Sequence, residues 1–243
     1  MKFSLALFAI GAVLVCQAYG ANMMNSAVRQ GAKILNQSKT GDMIRECSCP
    51  EQRECVAEMK KQVIGCFDEC YPLATTGKIH IKSPETLKTC FQNKNSIANS
   101  MLDCMQDSLN SCVDSKDGKQ IAYTDINVLL DKSEAALKKK ANIIQKTVGK
   151  SNDNLIDVAF DIGHCMKTCF QKQNAGGYCF DKKSCQPLID SKDASKGLNK
   201  CLKAVQWKKQ ASDVCECTVK AGVSEMEQYC GLLNSMNSNP SQN

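Results

Sequence analysis

Cysteine constrains this chain more than any other residue. It fills 17 of 243 positions, against 2 histidines and one tryptophan, Trp207. Such density is foreign to a reducing compartment and points to a fold held by covalent bridges. The first twenty residues indicate a route to an oxidising one. Lys2 precedes an apolar run from Phe3 to Val15, followed by Cys16-Gln17-Ala18-Tyr19-Gly20. This has the form of a secretory signal peptide over residues 1–20, with small residues at the cut. The run is shorter than the roughly 20 apolar residues a membrane span needs. Cleavage would remove Cys16 and leave sixteen cysteines, the even number that full pairing requires. The expected localisation is secreted and extracellular, and not membrane-spanning.

The sixteen fall into two groups of eight. Cys47, Cys49, Cys55, Cys66, Cys70, Cys90, Cys104 and Cys112 form the first; Cys165, Cys169, Cys179, Cys185, Cys201, Cys215, Cys217 and Cys230 form the second. This grouping divides the chain into an N-terminal helical segment (21–46), a first cysteine-rich helical subdomain (47–112), a cysteine-free helical connector (113–164), a second cysteine-rich subdomain (165–234) and a tail (235–243). A C-x3-C followed by a C-x13-C occurs in both halves (Cys66/Cys70 then Cys90/Cys104; Cys165/Cys169 then Cys201/Cys215) and hints at duplication.

The local signals are helical. Ser48 and Glu51 can form a capping box with Pro50 in the first turn, and Cys55, Met59, Cys66 and Cys70 then share one helical stripe. Ser83-Pro84-Glu85 opens a second helix carrying Cys90, Met101 and Cys104. Thr124 or Asp125 caps a third, which Gly149 ends, and Ser151 opens a fourth. A helix over Ser195–Cys217 and a short one from Ser224 follow. No segment alternates with period two, so the expected fold class is all-α: disulfide-rich helical hairpins in two related halves. If the first two cysteine-bearing helices form an antiparallel hairpin, the position numbers of facing residues add to a nearly constant total. Cys70 with Cys90, Cys55 with Cys104 and Cys47 with Cys112 meet that condition. These are the expected bridges, with partners for the other ten cysteines left open.

Little in the sequence points to chemistry. Cys47-Ser48-Cys49 and Cys215-Glu216-Cys217 lack the paired spacing of a structural zinc site, so neither metal nor cofactor is expected. His164 beside Cys165 sits on a helix where neighbours diverge by about 100°, so a thiol–imidazole pair is not formed within that helix. Asp161-Ile162-Gly163-His164-Cys165 matches the His-Asp helix of secreted phospholipases A2 only loosely. No G-x-S-x-G elbow or phosphate loop is present. Six lysines (Lys132, Lys138, Lys139, Lys140, Lys146 and Lys150) could meet sulfated glycans or anionic lipid. Residues 113–164 nevertheless carry equal numbers of lysines and acids, so the stretch reads as a solvated helix face. A net charge of +6 and 5% aromatic residues give no support to nucleic-acid binding. Asn36-Gln37-Ser38 is an N-glycosylation sequon, with Asn36 the acceptor.

The sequence Cys66-Phe67-Asp68-Glu69-Cys70 and the series Cys90, Cys104 and Cys112 resemble secreted cysteine-rich nematode proteins, specifically the chondroitin proteoglycan type of cysteine-rich domain. The resemblance rests on cysteine spacing from Cys47 to Cys112. It implies an extracellular, non-enzymatic protein. Chondroitin attaches at Ser-Gly, and the chain has none. The expected function is a secreted interaction or matrix protein without catalysis, whose partner is an extracellular protein or glycan. The alternatives are a lipid-binding or membrane-active protein using its Met and Leu stripes, and a phospholipase A2-like enzyme using His164.

Overall fold

The computed structural model describes residues 20–92, 95–148, 153–227 and 229–231. The segment expected to be a signal peptide (all but Gly20), the Gly149 stop, the Ser151 start and the tail from 235 lie outside these residues. Helix α1 (Gly20–Gln37) leads into strand β1 (Lys39–Glu46), so the N-terminal segment is helical only in its first part. Next come α2 (Cys49–Cys70), a 3-10 turn (Tyr71–Thr75), α3 (Pro84–Gln92), α4 (Asn95–Ser108), β2 (Gln120–Thr124) and α5 (Ile126–Val148). The chain continues through α6 (Asp153–Gln173), α7 (Cys179–Lys182), β3 (Cys185–Gln186), α8 (Ser191–Ala204), α9 (Trp207–Lys220) and a 3-10 turn (Ser224–Met226).

Several elements begin where their sequence signals lie. Ser48 and Glu51 form the reciprocal capping box at the head of α2, with Pro50 in its first turn. At α5 it is Asp125 that caps: its Oδ1 accepts the Asn127 and Val128 amides at 2.8 and 3.1 Å. The helix expected over Ser195–Cys217 is instead two, α8 and α9. The break is at Gln206, which takes a left-handed φ of 49°.

Helices dominate, but the all-α expectation needs one correction. A three-stranded sheet, in the order β2-β1-β3, pairs β1 antiparallel to β2 and parallel to β3. Its central strand is mostly solvent-facing and its pairing with β2 is irregular between Lys39 and Met43, so β1 never alternates apolar with polar. The sheet is held from outside its own pattern. The Gln186 carboxamide bonds both the N–H and the C=O of Thr124, at 2.8 and 2.9 Å. The Cys47–Cys185 bridge fastens the end of β1 to β3.

Three apolar clusters fill the interior. The first joins α2, α5, α6 and α7 around Cys55, Met59, Leu130, Met166 and Phe170. The second joins the Tyr71 turn, α3, α6 and α9 around Leu87, Val158, Cys215 and Val223. The third joins α4 to α8 through Met101, Met105, Leu109 and Cys201. Gly197 allows that last approach, since a Cβ there would meet Leu109 at 3.0 Å. The segment read as a connector therefore supplies β2, α5 and half of α6, and it buries Leu130 and Val158.

Candidate functional site

The sixteen cysteines from Cys47 onward are all bridged, with Cα separations of 4.8–5.8 Å, inside the ordinary disulfide range. The hairpin ladder is overturned. Cys70 pairs with Cys165 rather than Cys90, Cys55 with Cys179 rather than Cys104, and Cys47 with Cys185 rather than Cys112. Cys112 takes Cys49, Cys90 takes Cys217, and Cys104 takes Cys201. The remaining pairs are Cys66–Cys169 and Cys215–Cys230. Six of the eight bridges thus join the first group to the second.

The antiparallel rule survives with a different partner helix. A C-x3-C places both thiols on one helix face. Cys66 and Cys70 on α2 face Cys169 and Cys165 on α6, one pair descending as the other ascends. The repeated C-x3-C was the legible signal for this pairing. Proximity in sequence points Cys70 to Cys90, whereas the facing C-x3-C lies on α6. Proximity is a weak guide, because each doubling of loop length costs only about 0.6 kcal/mol in closure entropy.

Two charged clasps lie against this framework. Neither was visible in the sequence, because each joins separate elements. Arg45 on β1 grips Glu51 on α2 through two parallel bonds, Nη1 to Oε2 at 3.1 Å and Nη2 to Oε1 at 3.0 Å. The same carboxylate accepts the Ser48 amide at 2.9 Å and the Ser48 hydroxyl at 2.7 Å. The Arg45 guanidinium, helped by Ser48, outweighs burial and holds the Glu51 carboxyl down at about 2. Lys116 approaches from the loop before β2, its Nζ 3.9 Å from Glu51 Oε1.

The second clasp joins α5 to α6. Lys167 is buried, with its Nζ 3.0 Å from Asp131 Oδ1 and in contact with Glu134 Oε2. His164 Nδ1 lies 2.6 Å from Glu134 Oε1. Burial pushes the Glu134 carboxyl up, but Lys167 and His164 outweigh it and leave the group below its ordinary range. Desolvation likewise lowers Lys167, and its two carboxylate partners more than reverse that. His164 is therefore placed as a helix-to-helix partner. Asp161, three residues earlier, pairs with Lys78 at 2.6 Å. Cys165 is bridged and offers no thiolate.

Tyrosine hydroxyls sit in an acidic setting beside α7. Tyr123 donates to Asp181 at 3.1 Å, and burial together with Asp181 raises its hydroxyl to about 12. Tyr178 donates to Asn127 at 2.7 Å and is raised further, burial first and Asp125 second. Both serve as neutral donors at any physiological pH.

Asn36 is exposed in the last turn of α1, while the Ser38 hydroxyl of the same sequon is buried and donates to Ile34 C=O at 2.8 Å. In the α5 basic stretch Lys138 and Lys139 are exposed and Lys132 half-buried; the Lys146 side chain and Lys150 fall outside the described residues. Among the described residues no group of three or more His, Cys, Asp or Glu side chains is placed to hold a metal ion, and no helix is long and apolar enough to cross a membrane. No family model, curated protein or solved structure matches the chain.

Proposed function

We propose that the chain is a secreted interaction or matrix protein without catalytic activity, stabilised by disulfides and working through its surface. The observation that carries this reading is the pairing of all sixteen cysteines from Cys47 to Cys230, six of the eight bridges joining the two halves. Such pairing needs an oxidising compartment, and it gives a molecule whose parts cannot move far from one another. The residues raised for catalysis, His164 and Cys165, have structural partners. Cysteines are bridged, His164 holds Glu134, and Glu51 caps α2. Of the Met and Leu residues offered for lipid, Met59, Leu130 and Met166 lie in the first apolar cluster, Leu155 in the second and Met101 in the third. The extracellular setting agrees with the resemblance to chondroitin proteoglycan type domains, and Asn36 is the proposed glycan acceptor.

Expression in eukaryotic cells tests the reading. Residues 21–243 should appear in the medium without residues 1–20, label with no thiol reagent after denaturation, and lose no bound mass when native and denatured mass spectra are compared. Retention in cells or several free thiols would remove the proposal. Release of a lipid-sized mass on denaturation would replace it with the carrier reading.

A further inference from the structure

From the start of α8 to the first turn of α9, residues 191–209 hold six lysines (Lys192, Lys196, Lys200, Lys203, Lys208 and Lys209) against one acid, Asp193. This segment accounts for +5 of the chain's net charge of +6. The rest of the chain sums to +1; residues 132–150 carry an equal local excess, six lysines against Glu134, but acids elsewhere in 113–164 offset it.

Helix geometry arranges it into a row. At 100° per residue, Lys196, Lys200 and Lys203 fall within about 60° of one another and about 100–160° away from Cys201. Cys201 is fully buried and bridged to Cys104 on α4, which fixes the rotation of the helix. The three lysines are exposed, and none has an ion-pair partner among the described residues. The acids around them are few. Asp190 and Asp193 lie at the N-terminal end of α8, where Asp190 Oδ1 accepts the Asp193 amide at 3.1 Å. Helix α4 brings Asp107 and also Asp103, which pairs with Lys60 at 2.6 Å. Helix α1, packed against α8, has no acidic residue and adds Arg29 and Lys33, both exposed.

We propose that this face of α8 is a binding surface for a linear sulfated glycan. The inference rests on the extracellular reading above and names its partner class. A row of separate ammonium groups on a rigid helix suits a chain of repeated anions, each lysine acting as a point charge. A membrane surface suits it less. An interfacial helix must insert an apolar face, and that of α8 is spent on α4. The exposed large apolar side chains among the described residues, Met43 and Ile64, are on β1 and α2. The row also lacks the interleaved aromatics of single-stranded nucleic-acid platforms.

The test measures binding of the disulfide-intact full chain to a size-defined heparin oligosaccharide at physiological ionic strength. Its desulfated counterpart and phosphatidylserine-containing vesicles are the comparison probes. Lys196→Gln/Lys200→Gln/Lys203→Gln should weaken heparin binding about tenfold or more. Removing the same charge elsewhere, by Lys61→Gln/Lys138→Gln/Lys139→Gln, should change it less than about threefold. All substituted residues are exposed, and unchanged circular dichroism shows that each variant folds. The proposal is overturned by absence of binding, by equal loss in both variants, by equal affinity for the desulfated chain, or by stronger binding to vesicles. Binding is measured whether the protein is recovered from medium or from cells, so failed secretion would count against the extracellular reading and not against this surface.

Discussion

At Glu51 a carboxylate, a helix N-terminus and a guanidinium meet, and the consequence is measurable in acid. The group titrates at about 2 in the fold against an ordinary 4.5. Its folded value is depressed, so its contribution is fully present above 4.5 and is lost as pH falls through about 2. Glu51→Gln should flatten that part of the melting temperature's pH dependence, and at neutral pH it should cost about 2 kcal/mol through the weakened cap and the unpaired Arg45. Denaturant unfolding at pH 7 and at pH 3 checks both. In the other clasp, Lys167→Met leaves Glu134 half-buried with only His164 beside it. The Glu134 carboxyl should then titrate higher than in the parent, as read by carboxyl-carbon NMR, and stability should fall by about 2 kcal/mol. The Ser48–Glu51 box could be read from the sequence because both partners lie within one turn. The Arg45 and Lys167 partnerships could not, since each spans two elements whose relative placement no local pattern encodes.

Between elements, the informative residues are those whose geometry allows only one arrangement. Gly222 follows α9 with φ of 95°, and a Cβ there would lie 2.5 Å from Lys82 Cβ and 2.7 Å from its backbone nitrogen. The Lys82 and Ser83 amides donate to Ala221 C=O at 3.1 and 2.9 Å, so the end of α9 is stitched to the start of α3. Gly222→Ala should destabilise by about 2 kcal/mol or more, whereas Gly177→Ala, with φ of 97° and nothing nearer than 3.9 Å, should cost only the backbone strain of about 1 kcal/mol. Comparison of thermal melts separates the two. The α2–α6 pairing has its own test in a digest with trypsin after denaturation without reduction. Peptide 62–78, with Cys66 and Cys70, should be linked to 151–167 through Cys165 and to 168–172 through Cys169. Peptide 89–94, with Cys90, should be absent from that complex; finding it there would restore the hairpin ladder. The helices themselves were legible, through capping residues and 3.6-residue stripes. The sheet was not, because β1 carries polar residues on both faces and is held by Gln186 and the Cys47–Cys185 bridge, far from it in sequence.

For the molecule as a whole, covalent crossings matter more than chain continuity. Residues 114–117 form an exposed loop between Cys112 and β2, with the Lys116 side chain 78% exposed. A tryptic cut after Lys116 would leave six bridges joining the pieces. The nicked protein should run as one species without reductant and as two with it, and its circular dichroism should be unchanged until the bridges are reduced. Separation without reductant would contradict the pairing. What the sequence by itself determined is the material: cysteines in the number and spacing for covalent bridging, and amphipathic helices with readable starts. These follow from residue type and from periodicities a few residues long. The tertiary structure decided which thiols meet, that the supposed connector is core, and that Lys196, Lys200 and Lys203 of α8 share one open face. Those outcomes depend on which helix faces pack together, and loop-closure entropy varies too slowly with length to favour the near partner over the far one.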